Sequence, residues 1–100
     1  LVLVVGHQGG QILDYVGERG DFETVVSVEQ GEPIGLAHAV SLAGPSVGTD
    51  PLLVDYGDTV FEADLAEVVR RGGDGRLGVR KVEDPRRFGV VVEESGAKRV

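Results

Sequence analysis

The stretch LVLVVGHQGGQILDYVGERGDFETVVSVE, residues 1–29, decides the fold class of this chain. It opens on an apolar run at residues 1–6, which is typical of a buried strand. A helix is predicted near residues 11–18 and a second strand over residues 23–29. The apolar side chains that can share one face of this helix are Ile12, Leu13 and Val16. A strand, a helix and a strand in this order predict a βαβ unit with two parallel strands.

The same alternation continues after the second strand. A second helix is predicted after Gly31-Glu32-Pro33, and we expect it to end at Gly44-Pro45. Its predicted core face consists of Leu36, Ala39, Val40 and Ala43. A third strand is predicted over residues 52–56. The helix predicted after it has Leu65, Val68 and Val69 facing inward.

The pattern therefore predicts an α/β fold with a mainly parallel sheet over residues 1–71. Beyond the turn at residues 72–75, strands are predicted at residues 77–82 and 88–93 with no helix between them. The chain starts directly on a strand-like run without an initiator Met and stops at Lys98-Arg99-Val100. We therefore expect residues 1–100 to be an internal part of a longer protein.

Length and composition restrict the class of protein. One hundred residues form one domain with a modest core, and 41% hydrophobic with 27% charged residues is typical of a folded chain. The formal charge of -7 repels phosphate backbones and anionic lipid, which argues against a nucleic acid polymer or a membrane as partner. With no cysteine, no signal peptide and no membrane-spanning run, we expect a cytoplasmic protein.

Three loops carry the candidate site. Ligands of an open parallel sheet bind beyond the carboxyl ends of its strands, where residues 6–10, 30–35 and 57–59 are predicted to lie. Their glycines would let a nucleotide-sized molecule approach backbone N–H groups. The chain has neither a Gly-x-Gly-x-x-Gly fingerprint nor a phosphate loop ending in Gly-Lys-Ser/Thr, so the glycines alone do not identify a nucleotide site.

Asp58 has two interpretations. A carboxylate just past an apolar strand can ligate Mg²⁺, a hard cation that prefers oxygen ligands and phosphate groups. Alternatively, Asp58 shapes a turn, while Thr59 and Glu62, spaced as Thr-x-x-Glu, form a capping box for the next helix. The residues by themselves leave both interpretations open.

The other polar candidates are less distinctive. Gln30 offers both a donor and an acceptor, which could read the edge of a base. His7 is predicted near the rim, and His38 is predicted to lie off the core face of the second helix. Neither histidine is spaced with a second ligand as a zinc site requires. Arg86 and Arg87 are predicted to lie in a solvated turn.

Three segments taken together are more specific: VEQGEPIGLAHA at residues 28–39, LVDYGD at residues 53–58 and DPRRFGV at residues 84–90. In order and spacing they resemble glucose-1-phosphate thymidylyltransferases and related sugar-1-phosphate nucleotidyltransferases. The resemblance covers nearly the whole chain. It implies a Rossmann-like fold and Mg²⁺ as cofactor. It also implies transfer of a nucleotidyl group from a nucleoside triphosphate to a sugar 1-phosphate, with release of pyrophosphate.

The resemblance also implies roles for individual residues. By matching position, Gln30 and the backbone of Gly35 recognise the pyrimidine base, and Gly57 and Asp58 line the nucleotide site with Asp58 on the metal. The backbone of Gly89 contacts the sugar. The segment GLAHA resembles thymidylyltransferases more than uridylyltransferases, which favours dTTP and glucose 1-phosphate and leaves UTP as the alternative.

The chain departs from the family pattern in several places. Thr59 stands where relatives often carry Asn. The N-terminal Gly-rich loop with its Arg and Lys, the Glu-Lys-Pro segment and the second metal carboxylate are missing. We therefore expect a partial catalytic domain that is inactive and marginally folded on its own, and a complete enzyme that is compatible with a homo-oligomer.

Two other classes of protein fit the same pattern. A pyrophosphorylase-like domain can act as a non-catalytic regulatory subunit, and the loop Arg and Lys would distinguish the enzyme from it. A phosphoacceptor receiver domain would use Asp55 at the end of the third strand. Such a domain needs a pair of acids after the first strand, where this chain has Gly6-His7-Gln8.

Overall fold

The computed structural model describes residues 1–94 and 97–99. The chain divides into two compact units, Leu1–Val60 and Phe61–Val100. In the part of the chain that is described, no helix combines the length and the apolar character needed to cross a bilayer.

The first unit contains the predicted βαβ arrangement. Strand β1 is Val2–Val5, helix α1 is Gly9–Arg19, strand β2 is Val26–Glu29 and helix α2 is Leu36–Val47. β1 and β2 pair in parallel, with Val2 opposite Val26 and Val5 opposite Glu29. The partial α/β fold expected from the sequence is therefore confirmed. The second strand is shorter than predicted, since it starts at Val26.

The core of this unit lies around the end of β1. Val5 and Ala43 are the buried apolar residues among those described, and α2 packs against both strands. The N–H of Gly9 donates to the carbonyl of Gly6 at 2.9 Å, so α1 starts directly above the end of β1. A Cβ at Gly9 would lie 2.6 Å from the Cβ of Val5. The first turn of α1 therefore requires glycine at this position.

The far end of α1 is closed by local interactions. Gly20 adopts φ 65°, the left-handed conformation common after a helix. The Arg19 guanidinium donates to Asp21 at 2.5 Å and lies 5.8 Å from the centre of the Tyr15 ring. Because the pair is exposed, we attribute little stability to it beyond fixing the turn.

The second unit has a short helix and a pair of antiparallel strands. Helix α3 is Leu65–Arg70, and a 3-10 helix spans Pro85–Arg87. Strands β3, Val92–Glu94, and β4, Ala97–Arg99, pair in the antiparallel direction. The predicted strand at residues 88–93 is thus found in part, displaced towards the carboxyl terminus. The predicted strand at residues 77–82 is not formed.

The predicted third strand is also wrong. Residues 52–56 have an apolar sequence typical of a strand, yet they form no strand. Leu52 and Leu53 are both exposed. A strand exists only where a neighbour satisfies its N–H and C=O groups. Residues 52–56 have no such neighbour in the described part of the chain. An apolar run in the sequence indicates a preference for a strand, but it does not show whether a neighbouring strand is present to pair with it.

Two predicted features of α2 need correction. The helix does not stop at Gly44-Pro45 but continues through Pro45 to Val47 and closes with the Gly48 N–H on the Gly44 carbonyl at 2.9 Å. Pro45 has no backbone N–H, so it removes one hydrogen bond from the helix. Since only two helical residues follow it, the helix reaches its end at Val47 despite this loss. Leu36 is 62% exposed, so the packed face begins one turn later, at Ala39, Val40 and Ala43.

For the third helix, the alternative capping box is wrong and the predicted inward face is found only in part. α3 starts at Leu65, where the Asp64 carboxylate accepts from the Glu67 N–H at 2.9 Å. Thr59 and Glu62 therefore do not form a capping box for it. Leu65 is half-buried, whereas Val69 is 63% exposed, because a helix of 6 residues presents a short face.

Replacing Gly9 with Ala should destabilise the first unit by about 1–3 kcal/mol, because the new methyl group overlaps Val5. The matched control is Gly10→Ala, one position along the same helix, where a Cβ meets nothing within 4 Å. That change should be neutral or stabilise by up to about 1 kcal/mol. Urea unfolding followed by circular dichroism measures both. Equal stabilities of the two variants would contradict the contact.

Candidate functional site

The carboxyl ends of β1 and β2 lie side by side. Val5 and Glu29 are register partners, and the N–H of Gln30 donates to the Val5 carbonyl at 2.8 Å. Gln30 is therefore fixed by its backbone at the edge where both parallel strands end, and its side chain is half-buried. This is the edge at which ligands of open parallel sheets bind.

A cavity of about 210 Å³ opens at this edge. Its polar side chains are His7 from the loop after β1 and Ser27 and Glu29 from β2. Gly9 and Gly10 line it at the start of α1. The prediction that His7 lies near the rim agrees with this placement. Ser27 and Glu29 were not predicted, although residues two apart on a strand share a face and could have suggested the pair.

Gly35 begins α2 in a conformation that only glycine adopts readily. Its φ is 128° and its ψ is 167°, and α2 has no side-chain hydrogen bond at its N-cap. A Cβ there would meet nothing within 4 Å, so the constraint is conformational and not steric. The first N–H groups of α2 are thus available to a ligand, which suits the backbone contact predicted for Gly35.

Asp58 lies in a turn, as one of its two interpretations expected, and not at the end of a strand, as the other did. The Thr59 N–H donates to the Tyr56 carbonyl at 3.0 Å and closes the turn around Gly57 and Asp58. The Thr59 hydroxyl donates to Asp58 Oδ1 at 3.1 Å. Asp58 and Gly57 are exposed. Since residues 52–56 form no strand, the turn, not the sheet, holds the carboxylate.

The surroundings of Asp58 fit Mg²⁺ in one particular mode. In residues 1–94 and 97–99, no three or more His, Cys, Asp or Glu side chains are grouped as a metal cage. Among the same residues, no Lys or Arg pairs with Asp58. Mg²⁺ is commonly held by one or two carboxylates, with waters and substrate phosphates completing its shell. A single exposed carboxylate without a competing cation fits that mode.

His38 is placed differently from the prediction. It is half-buried on α2, the helix that packs against β1 and β2, and its Nδ1 is shielded from solvent. Nδ1 has no hydrogen-bond partner among the described residues.

Gly89 belongs to the second unit, where it follows the 3-10 helix Pro85–Arg87 and is exposed. The preceding turn is held by Asp84, which accepts from the Arg86 side chain at 2.7 and 2.8 Å. The guanidinium and the Arg86 backbone N–H lower the pKa of the Asp84 carboxyl from its ordinary value. In return, Asp84 raises the pKa of Arg86. Arg86 and Arg87 are exposed, as predicted for a solvated turn.

The structure joins the predicted site residues only in part. Gln30 is bonded to the end of β1, while Gly57 and Asp58 share one turn. Within the described residues, no hydrogen bond or ion pair connects Gln30, Gly35 and Asp58 with one another. The roles inferred for these positions therefore remain predictions.

Comparison with known proteins supplies relatives. No protein-family model and no solved structure matches the chain. It is 30% identical to the low-salt glycan biosynthesis nucleotidyltransferase Agl11 of Haloferax volcanii, over 94% of this chain and 28% of the relative. It is 34% identical to a glucose-1-phosphate thymidylyltransferase of Streptomyces antibioticus, over 88% of this chain and 26% of that protein. A UTP–glucose-1-phosphate uridylyltransferase of Staphylococcus epidermidis is 31% identical, over 91% of this chain and 35% of that protein.

These relatives confirm the resemblance seen in the sequence. Several curated homologues of the chain are sugar-1-phosphate nucleotidyltransferases, and the similarity extends over most of its residues. The chain spans about a quarter to a third of the length of these relatives.

Replacing Gly35 with Ala should destabilise the first unit by about 1–3 kcal/mol, because alanine avoids the backbone conformation found there. Gly31→Ala, in the same loop, is the matched control. Gly31 has no left-handed φ and open space around its Cβ position, so its replacement should cost less. The measurement is the thermal unfolding midpoint of each variant. A Gly35→Ala protein as stable as Gly31→Ala would show that the start of α2 tolerates other conformations.

Proposed function

We propose that this homologue of sugar-1-phosphate nucleotidyltransferases forms part of the catalytic domain of such an enzyme. The complete protein would transfer a nucleotidyl group from a nucleoside triphosphate to a sugar 1-phosphate and release pyrophosphate. The observation that carries this proposal is the similarity to curated nucleotidyltransferases along 94% of the chain. The parallel β1–β2 pair, with loops at its carboxyl edge, supports a nucleotide-sized ligand there.

The base and the sugar are a finer proposal. Relatives of this chain are named for thymidylyl, uridylyl and guanylyl transfer, and for glucose 1-phosphate and mannose 1-phosphate. We favour dTTP and glucose 1-phosphate, because the segment at residues 35–39 resembles the thymidylyltransferases most. UTP is the next candidate.

The proposed reaction joins two anions. A phosphate oxygen of the sugar 1-phosphate attacks the α-phosphorus, and the bond from that phosphorus to the oxygen bridging to the β-phosphate breaks, so pyrophosphate leaves. Repulsion and misalignment are the main obstacles, and donors fixed in advance reduce both. The free N–H groups at the start of α2 are such donors in this chain.

Each residue then has a defined part. Gln30 would read the base edge with its amide, because its backbone is already fixed to Val5 and its side chain is free of recorded bonds in the described residues. Asp58 would hold Mg²⁺ through a carboxylate oxygen. Bound there, the ion would supply positive charge to neutralise the phosphate groups. Gly89 would contact the sugar through its backbone.

Replacing Gln30 with Ala should weaken discrimination between nucleotides by about fivefold, since one net hydrogen bond is worth about 1 kcal/mol. The fold should persist, because the bond to the Val5 carbonyl comes from the backbone. Gln11→Ala, an exposed change on α1, is the control. The measurement is kcat/KM for dTTP, UTP and CTP with one sugar 1-phosphate. Unchanged ratios among the three would remove Gln30 from base recognition.

Replacing Asp58 with Asn should slow turnover by about a hundredfold or more while leaving stability nearly unchanged. Asn keeps the turn but loses the charge that holds Mg²⁺. The matched control is Asp55→Asn, three residues earlier and also exposed, which should retain activity. Pyrophosphate release and thermal unfolding are measured on each variant. Near-normal turnover of Asp58→Asn at saturating Mg²⁺ would exclude the metal role, and an equal loss of turnover in Asp55→Asn would show that the effect is not specific to Asp58.

A further inference from the structure

In the turn at residues 56–59, the side chain of Thr59 contacts Asp58, the proposed metal ligand. The Thr59 hydroxyl donates to Asp58 Oδ1 at 3.1 Å, and this is the hydrogen bond recorded for the Asp58 carboxylate within residues 1–94 and 97–99. Oδ2 of the same carboxylate has no partner there. One oxygen is therefore engaged by the protein, and the other is open.

We propose that Thr59 is a positioning residue that orients the Asp58 carboxylate for a divalent cation. The inference rests on the proposed function, because it requires Asp58 to bind the metal. Side chains that hydrogen-bond a metal ligand fix its orientation and so strengthen metal binding. Thr59 itself does not touch the cation or the substrate.

The backbone of Thr59 makes this assignment stronger. Its N–H donates to the Tyr56 carbonyl at 3.0 Å, which fixes the main chain on the carboxyl side of Asp58. The β-branched side chain of threonine has few χ1 conformations, so a fixed backbone leaves the hydroxyl few directions. The hydroxyl then restricts rotation of an exposed carboxylate that would otherwise sample many orientations.

The turn alone would not require a hydroxyl. Valine has nearly the shape of threonine and keeps the backbone N–H, so Thr59→Val removes the donor to Asp58 and preserves the bond to Tyr56. Serine keeps the hydroxyl and removes only the methyl group. If the role of Thr59 is purely structural, the variant that keeps the side-chain shape, Thr59→Val, should behave as the unmodified protein does. If Thr59 is a positioning residue, the variant that keeps the hydroxyl, Thr59→Ser, should do so.

The test is Mn²⁺ binding by the complete protein in the presence of dTTP, followed by the relaxation of water protons. Thr59→Val should weaken Mn²⁺ binding by about twofold to tenfold, the range expected for one hydrogen bond. Thr59→Ser should bind as the unmodified protein does. The control is Thr49→Val, at an exposed threonine with no recorded side-chain hydrogen bond in the described residues. The Mg²⁺ concentration for half-maximal turnover should rise in Thr59→Val, while kcat at saturating Mg²⁺ changes little.

Asp58→Asn in the same Mn²⁺ assay separates this inference from the proposal beneath it. If Asp58→Asn weakens binding and Thr59→Val does not, the role of Thr59 is wrong and that of Asp58 stands. If Asp58→Asn binds Mn²⁺ normally, both roles fall. Equal weakening in Thr59→Val and Thr59→Ser would also overturn the inference, because the hydroxyl would then not be the group that matters.

Discussion

The parallel pairing of β1 with β2 is the constraint on which the rest of the first unit depends. Parallel strands need a crossover, which α1 provides, and their carboxyl ends necessarily meet at one edge. The bond from the Gln30 N–H to the Val5 carbonyl extends the pairing past the last residue of β2. Because that edge is fixed, the loops after both strands open on the same side, and α2 packs against the two strands.

Two glycines determine where the helices of this unit begin. α1 can start where it does because Gly9 has no side chain to meet Val5, and α2 can start where it does because Gly35 accepts a conformation other residues avoid. Two glycines thus set the start of both helices.

The sequence predicted the local features of this structure and missed several that depend on distant partners. The βαβ unit over residues 1–29 was predictable because strand and helix periodicity are local properties. The predicted strand at residues 52–56 does not form, since pairing requires a neighbour that a local pattern cannot reveal. Asp58 was singled out from the residues around it, and a turn was one of its two interpretations, but its contact with the Thr59 hydroxyl was not foreseen. The family resemblance was confirmed by relatives, whereas the roles of individual residues stay predictions for experiments to test.

The most direct test of the account is product formation by the complete protein with dTTP, UTP or GTP and a panel of hexose 1-phosphates. Mass spectrometry would identify the nucleotide-sugar, and a coupled assay would measure pyrophosphate. We predict equal amounts of nucleotide-sugar and pyrophosphate for at least one pairing, and no pyrophosphate when the sugar phosphate is omitted. Absence of a nucleotide-sugar from every pairing, or release of inorganic phosphate as the first product in place of pyrophosphate, would contradict the account.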